Sequence, residues 1–311
     1  MYSLGIDTSN YATSLAVYDT EGQTSPVMLK RFLPVRAGAL GLRQSDAVFH
    51  HTAALPELFE ELKKKTNLKE LSAVGVSVKP RPVEGSYMPC FLVGRAAACA
   101  IGAAAGIPVI ETSHQQGHIA AALYAAGGDL YDRQALVFHI SGGTTELLLV
   151  DHLKVLSTVG QSTDLYAGQA VDRLGVRLGF SFPAGAELSA LAARCAETPN
   201  PKVSVKGANC SLSGLQNQCE HLLDEGRAPE YVAKYCLLAV GKTVLRMLAA
   251  AREQYPGIPC VCAGGVMSSE IIRNQVTSQM PDVRFVPGAF SSDNAVGTAI
   301  IASREMEAKH G

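Results

Sequence analysis

The 311-residue sequence has little charge. Asp, Glu, Lys and Arg make up 18% of it, and the formal net charge is −1. It therefore lacks the basic surface with which proteins bind nucleic acid unaided, and any such contact must come from a local patch or a partner protein. At 47% hydrophobic residues the chain is expected to bury a sizeable interior, and its length predicts two domains.

The eight cysteines are scattered, and no Cys-x-x-Cys spacing occurs among them. This excludes a zinc ribbon and a disulfide framework and favours reduced thiols in a cytoplasmic protein. The chain starts without a basic targeting segment, and its most apolar window, residues 91–110, contains Arg95 and is mostly Ala and Gly. We expect a buried helix and strand there, and no membrane segment.

The most informative stretch is Ser113-His114-Gln115-Gln116-Gly117-His118, between an apolar run and an Ala-rich segment. On a helix, His114 and His118 leave the same face one turn apart and can close on a single metal ion. The alternative is that both are ordinary polar side chains on a solvated first turn. No Glu follows His114, so the His-Glu-x-x-His pattern of zinc proteases is not met.

Apolar strands alternate with helical patterns along the chain, which predicts an α/β fold with mostly parallel sheets. Residues 2–7 and 12–18 form strands joined by a polar turn, and helices are predicted over residues 45–66, 91–105 and 229–254. A similar unit of strand, small polar turn and strand recurs at residues 135–151. This is a weak internal duplication.

The turn Ser141-Gly142-Gly143-Thr144-Thr145 is typical of an anion nest, because glycines let backbone N–H groups converge. An ordinary Gly-Gly hairpin is the alternative. Ala263-Gly264-Gly265 follows a strand and precedes a helix, which is typical of a nucleotide-binding corner, although the Gly-x-Gly-x-x-Gly spacing is absent. Asp172 is either a ribose ligand or an exposed helical carboxylate, and Asp293 is either a helix N-cap or a metal ligand.

Eight short motifs in this order resemble the TsaD family, the universal proteins of tRNA threonylcarbamoyladenosine (t6A) biosynthesis once called M22 glycoproteases. They are Gly5-Ile6-Asp7-Thr8-Ser9, His114-x-x-Gly117-His118, Ser141-Gly142-Gly143-Thr144-Thr145, Ala167-Gly168-Gln169-Ala170-Val171-Asp172-Arg173, Phe182-Pro183-Ala184-Gly185, Ser211-Leu212-Ser213-Gly214-Leu215, Ala263-Gly264-Gly265-Val266 and Ser292-Asp293-Asn294-Ala295. The resemblance covers essentially the whole chain.

The resemblance implies two actin-like (ASKHA, ribonuclease H-like) domains around a nucleotide-binding cleft. We expect the first over residues 1–132 and 294–311 and the second over 133–293. It also implies one divalent transition metal, iron or zinc, and an adenine nucleotide, threonylcarbamoyl-AMP or ATP. The implied metal ligands are His114, His118, His139 and Asp293, and the implied nucleotide contacts are Ile140, Ser141, Gly142, Gly143, Asp172, Gly185 and Ser269.

The chain departs from the family where chemistry is expected. The family carries an acidic pair after its Thr-Ser, and here those positions are Tyr11 and Ala12. The second Asp before the family's Ala-Gly-Glu is Leu165, and the Lys after its Ser-Gly-Leu is Gln216. The catalytic residues are therefore unknown, and the chain resembles a divergent paralogue of the family.

Three hypotheses remain. The first is metal-dependent threonylcarbamoyl transfer from threonylcarbamoyl-AMP to N6 of adenosine in tRNA, with tRNA bound only with help from partner subunits. The second is a non-catalytic nucleotide- and metal-binding partner of a true TsaD-like subunit, in a homodimer or a heterodimer with a related actin-like protein. The third, metallopeptidase, rests only on the older family name.

Overall fold

The computed structural model describes residues 1–9, 12–21, 24–34, 42–291 and 295–310, with the backbone alone at 309 and 310. Two compact units are present. The first consists of Met1–Ala121 together with Asp293–Gly311, and the second is Ala122–Ser292. In the part of the chain that is described, no helix is long and apolar enough to cross a membrane.

The N-terminal part of the first unit alternates strands and helices. Its elements are β1 (Tyr2–Ser9), β2 (Ala12–Asp19), β3 (Val27–Phe32), α1 (Gln44–Lys65), β4 (Leu71–Lys79), α2 (Phe91–Ala105), β5 (Val109–Ser113) and α3 (His114–Ala125), and the boundary between the units falls within α3. Lys63, Lys64 and Lys65 occupy the last turn of α1, where cations complement the helix dipole.

The second unit repeats this alternation with more helices. Its elements are β6 (Ala135–Ile140), β7 (Thr145–Asp151), β8 (Lys154–Gln161), α4 (Ala167–Arg177), α5 (Gly185–Ala192), β9 (Ser204–Lys206), β10 (Asn209–Ser211), α6 (Ser213–Asp224), α7 (Pro229–Gln254), β11 (Cys260–Ala263), α8 (Glu270–Gln279), β12 (Arg284–Phe285) and α9 (Gly288–Ser291). The chain then returns to the first unit as α10 (Val296–His310).

The two five-stranded sheets share one topology. Their strand orders are β3-β2-β1-β4-β5 and β8-β7-β6-β11-β12. In each sheet, the first three strands of the unit pair antiparallel. The fourth strand pairs parallel with the first, and the fifth pairs parallel with the fourth. The prediction of mostly parallel sheets was therefore wrong, because hairpins join the first three strands of each unit. The duplication extends to the whole sheet, and both units have the actin-like fold.

The central strand β1 is covered on both faces. Leu4 and Ile6 are fully buried in a core with Leu55 and Leu58 of α1. The opposite face carries small and polar residues and lies against α10, where Ser3 Oγ donates to the Ala299 carbonyl oxygen at 2.8 Å. That approach requires glycine, because a Cβ at Gly5 or Gly75 would overlap the backbone of α10.

Candidate functional site

The paired-histidine helix begins with a capping box. Ser113, the last residue of β5, accepts at its Oγ from Gln116 N at 3.2 Å, and Gln116 Oε1 accepts from Ser113 N at 3.2 Å. The Ser-x-x-Gln spacing therefore turns the chain from strand to helix at one residue. His114 becomes the first helical residue, and His118 lies one turn further along α3.

The two imidazole rings direct the same nitrogen at each other. His114 Nε2 and His118 Nε2 are 2.9 Å apart, with ring centroids 4.3 Å apart and planes at 81°. Between these nitrogens there is room for one proton or, after slight separation, one metal ion. Two nitrogens on one zinc ion stand roughly 3.4 Å apart, given Zn–N bonds of about 2.0–2.1 Å. The pair therefore fits half of a metal site.

Asp7 holds the other side of the His114 ring. Its Oδ2 lies 2.7 Å from His114 Nδ1 and accepts from Ser77 Oγ at 3.1 Å. Its Oδ1 accepts from Ser9 N at 2.7 Å, and Asp7 is only 1% exposed. A carboxylate on one ring nitrogen is the usual support of an imidazole that binds a metal through its other nitrogen. Sequence reasoning assigned Asp7 no role, although an acidic residue at the end of an apolar strand was a signal.

Two further hydroxyls share this face of the sheet. Ser14 is the register partner of Asp7 on β2, and Ser9 lies two residues beyond Asp7 on β1, so all three side chains point the same way. Ser9 Oγ and Ser14 Oγ are buried and have no hydrogen-bond partner among the described residues. Buried hydroxyls are normally paired, so these two are suited to a bound ligand or water.

The other metal ligands expected from the resemblance are Asp293 and His139. Asp293 and Tyr11 lie outside the described residues. His139 belongs to the second unit, on β6, where its register partner is the buried Glu146 of β7. Ala12 is fully buried at the start of β2. Within the described ranges no group of three or more His, Cys, Asp or Glu side chains is arranged to hold a metal.

The Ser141–Thr144 turn lies between β6 and β7. Ser141 N donates to the Thr144 carbonyl oxygen at 2.9 Å, and Ser141 Oγ donates to Thr144 Oγ1 at 3.2 Å. Among the described residues, a Cβ built at Gly142 or Gly143 would meet nothing within 4 Å. Packing against neighbouring residues therefore does not require glycine at these two positions. An anion nest does require such open space beside its backbone N–H groups.

Helix α4 starts directly against this turn. Ala167 N donates to the buried Thr145 Oγ1 at 2.9 Å, and a Cβ at Gly168 would overlap the Ser141 carbonyl oxygen. On the other side, a Cβ at Gly264 would overlap the backbone of Ile140. Two close approaches thus bring the α4 N-terminus and the end of β11 onto the turn, and a helix N-terminus attracts anions.

Asp172 connects α4 to the start of α5. Its Oδ1 accepts from Ala184 N at 2.9 Å, one residue before Gly185 begins α5. Burial raises the pKa of Asp172, and the Ala184 hydrogen bond opposes that rise. Further along α5, Ser189 Oγ donates to Ser269 Oγ at 3.2 Å. These two bonds join α4 to the start of α5 and α5 to Ser269, the residue before α8.

Asp164 holds residues 211–213 in place, and the sequence analysis assigned it no role. Its carboxylate accepts from the Ser211 and Ser213 hydroxyls at 2.5 and 2.6 Å and from Leu212 N at 2.8 Å. Burial alone would raise the pKa of Asp164, but these bonds hold it well below its usual range. The neighbouring Leu165 is buried in the core of the second unit.

Residues 41–300 match the model of the TsaD family, described as tRNA N6-adenosine threonylcarbamoyltransferase. A curated protein of that name from Streptococcus equi subsp. zooepidemicus (strain MGCS10565) is 29% identical, over 99% of this chain and 93% of its own length. Another, from Streptococcus thermophilus (strain CNRZ 1066), is 28% identical with the same coverage.

Solved structures with little sequence identity share the fold. Component A of (R)-2-hydroxyglutaryl-CoA dehydratase from Acidaminococcus fermentans superposes with a TM-score of 0.57 at 14% identity, over 99% of each chain. HypF from T. kodakarensis gives a TM-score of 0.65 at 14% identity, over 99% of this chain and 48% of its own.

Proposed function

This chain belongs to the TsaD family of tRNA N6-adenosine threonylcarbamoyltransferases, and from that premise we propose that it acts in metal-dependent transfer of a threonylcarbamoyl group. The donor is threonylcarbamoyl-AMP and the acceptor is N6 of adenosine in tRNA. The observation that carries the proposal is the arrangement around His114, whose Nε2 meets that of His118 at 2.9 Å while Asp7 holds its Nδ1.

His114 and His118 would hold the metal, with Asp293 and His139 as the further donors. Mixed imidazole and carboxylate ligands suit iron or zinc. When bound, the metal supplies a Lewis acid for the carbamoyl oxygen. The orphan hydroxyls of Ser9 and Ser14 would complete the polar surface that orients the acyl group.

The second unit would bind the adenylate. The N–H groups of Ser141 to Gly143 and the N-terminus of α4 are suited to the phosphate, which leaves with AMP. One Asp172 oxygen is held by Ala184 N, so the other would accept from ribose hydroxyls. Gly185 and Ser269 would line the remainder of this site.

Partner subunits would present the tRNA. The net charge of −1 provides no general attraction for a polyanion. We therefore expect the isolated chain to bind tRNA weakly. We also expect a homodimer or a heterodimer with a related actin-like protein.

A specific departure favours a second candidate function, that of a non-catalytic partner of a true TsaD-like subunit. The acidic pair of the family is replaced by Tyr11 and by the fully buried Ala12, so neither position provides a carboxylate. A positioned general base contributes roughly 10²–10⁴ in rate. Transfer by this chain alone would accordingly be slow.

The test is t6A formation in unmodified tRNA, measured by nucleoside mass spectrometry with synthesised threonylcarbamoyl-AMP. We expect slow transfer by the wild-type chain, loss of it in His114→Ala/His118→Ala, and a gain in Tyr11→Asp/Ala12→Glu. Because Ala12 is fully buried, Tyr11→Asp alone is the companion variant, with folding checked by circular dichroism. Undetectable transfer by every variant of the isolated chain, together with transfer once a true TsaD-like subunit is added, would support the partner role.

A further inference from the structure

We infer that Asp7 is a positioning residue that fixes which nitrogen of His114 carries the proton, and that it thereby makes Nε2 the metal-binding atom. The inference deepens the proposed function, since it assigns a role to a residue that supports the same site. It rests on the contacts of one buried carboxylate with three donors from separate parts of the first unit.

The direction of the hydrogen bond between His114 and Asp7 determines the tautomer of His114. An ionised carboxylate only accepts hydrogen bonds, so the 2.7 Å contact with His114 requires the ring proton on Nδ1. Nε2 of the neutral ring then has a lone pair and no proton. At 2.9 Å, His118 Nε2 must donate to it when no metal is present. The two rings therefore hold opposite tautomers in the metal-free protein.

Asp7 is itself fixed in place. Ser9 N donates to Oδ1 at 2.7 Å, and this backbone donor cannot reverse its direction. Ser77 Oγ donates to Oδ2 at 3.1 Å, the same oxygen that faces His114, although a hydroxyl can rotate to accept instead. The carboxylate is 1% exposed, so water does not compete for these contacts.

Asp7→Asn tests this polarity without a change of size. The amide has one oxygen, and Ser9 N–H takes it because a backbone donor cannot face the NH₂ group. The NH₂ group then faces His114, whose Nδ1 must become an acceptor. The proton moves to Nε2, the wrong nitrogen for the metal site.

The measurements are the tautomers of His114 and His118, by ¹⁵N–¹H correlation spectra of ¹⁵N-histidine-labelled, chelator-treated full-length protein at pH 8, and the apparent zinc Kd by chelator competition. We expect wild-type His114 to carry its proton on Nδ1 and Asp7→Asn to carry it on Nε2. We expect the zinc Kd of Asp7→Asn to rise about 10- to 100-fold, the usual effect of losing such a support.

Two variants control for structural effects. Ser77→Ala removes a donor to the same oxygen but leaves the polarity at His114 unchanged, so it should keep the wild-type tautomer. Asp19→Asn alters another buried carboxylate, at the far end of β2, which accepts from Glu21 N at 3.1 Å. It should lower the thermal midpoint without changing the zinc Kd.

The outcomes separate this inference from the proposed function. If wild-type His114 carries its proton on Nε2, the inference is overturned even where Asp7→Asn fails to fold. A folded Asp7→Asn protein with the wild-type tautomer or the wild-type zinc Kd overturns it as well. If the wild-type chain binds no metal, the metal part of the proposed function fails, and the tautomer alone decides the role of Asp7.

Discussion

His114 Nε2 and His118 Nε2 lie 2.9 Å apart at the start of α3. Only 22% of the His114 side chain is exposed, and its second nitrogen is held by Asp7. The pair therefore has a single shared point at which a cation can bind.

Replacing both rings should empty that point. We expect His114→Ala/His118→Ala to lose the equivalent of iron or zinc found in protein purified without chelators, as measured by inductively coupled plasma mass spectrometry. The matched control is His152→Ala/His221→Ala, which removes two exposed imidazoles and should leave the metal content unchanged. A full equivalent of metal in the first variant would place the site elsewhere.

The glycines of the second unit divide into two kinds, and alanine substitution distinguishes them. In Gly142→Ala the added Cβ meets no described atom, so the free energy of unfolding should stay unchanged or rise by up to about 1 kcal/mol. The same Cβ would obstruct the nest and should weaken AMP binding about tenfold. Gly168→Ala would overlap the Ser141 carbonyl oxygen and should cost about 1–3 kcal/mol of stability. Urea unfolding and calorimetry measure the two effects, and unchanged AMP affinity in Gly142→Ala contradicts the nest.

Asp172 is expected to contribute to nucleotide affinity through the oxygen that Ala184 N does not occupy. Asp172→Ala should weaken AMP or ATP binding by about 1–3 kcal/mol, the cost of losing a charged hydrogen-bond partner. Asp172→Asn retains an acceptor for Ala184 N and separates the loss of charge from displacement of α5. Arg173→Ala, at the next position, is the control. The absence of binding heat from the wild-type chain at millimolar nucleotide would remove the basis of this prediction.

His51 should make the first unit sensitive to acid. It is fully buried on α1, its Nδ1 lies 2.8 Å from Thr13 Oγ1, and burial lowers its pKa to about 4 despite the opposing charge of Asp7. The pKa of His51 is near 6.5 in the unfolded chain and about 4 in the folded chain. Between these two pH values the unfolded chain binds a proton at His51 and the folded chain does not. The free energy of unfolding should therefore decrease as the pH is lowered through that window.

The slope for this one proton is about 1.4 kcal/mol per pH unit. His51→Gln should reduce the dependence by that amount in urea titrations between pH 4 and pH 6.5. Equal slopes for the wild type and His51→Gln would contradict the assignment.

Local sequence patterns predicted the local structure well. The spacing of His114 and His118 predicted one helical face, and Ser113 with Gln116 forms the cap that starts the helix. The long helix predicted over residues 229–254 is α7 with the same bounds. Each of these follows from interactions between residues within a few positions of one another, which periodicity and capping rules describe.

The missed relationships join residues far apart in the sequence. Asp7 and His114 meet because β1, β4 and β5 lie side by side in the first sheet, an order that no local pattern specifies. The same is true of Asp164, whose partners at 211–213 arrive with β10 and α6. Strands joined by a hairpin and strands joined by a crossover have similar apolar runs in the sequence. The sequence therefore did not distinguish antiparallel from parallel pairing, and the prediction of mostly parallel sheets was wrong.

Helix α10 belongs to the first unit but follows the second unit in the sequence. A Cβ at Gly5 or Gly75 would overlap the backbone of Ala295 or Thr298, so the face of the first sheet is shaped for a helix that is translated after the second unit. We therefore expect the first unit to complete its fold only after residues 122–292 have been synthesised. Until then, the face that carries Asp7 lacks its covering helix.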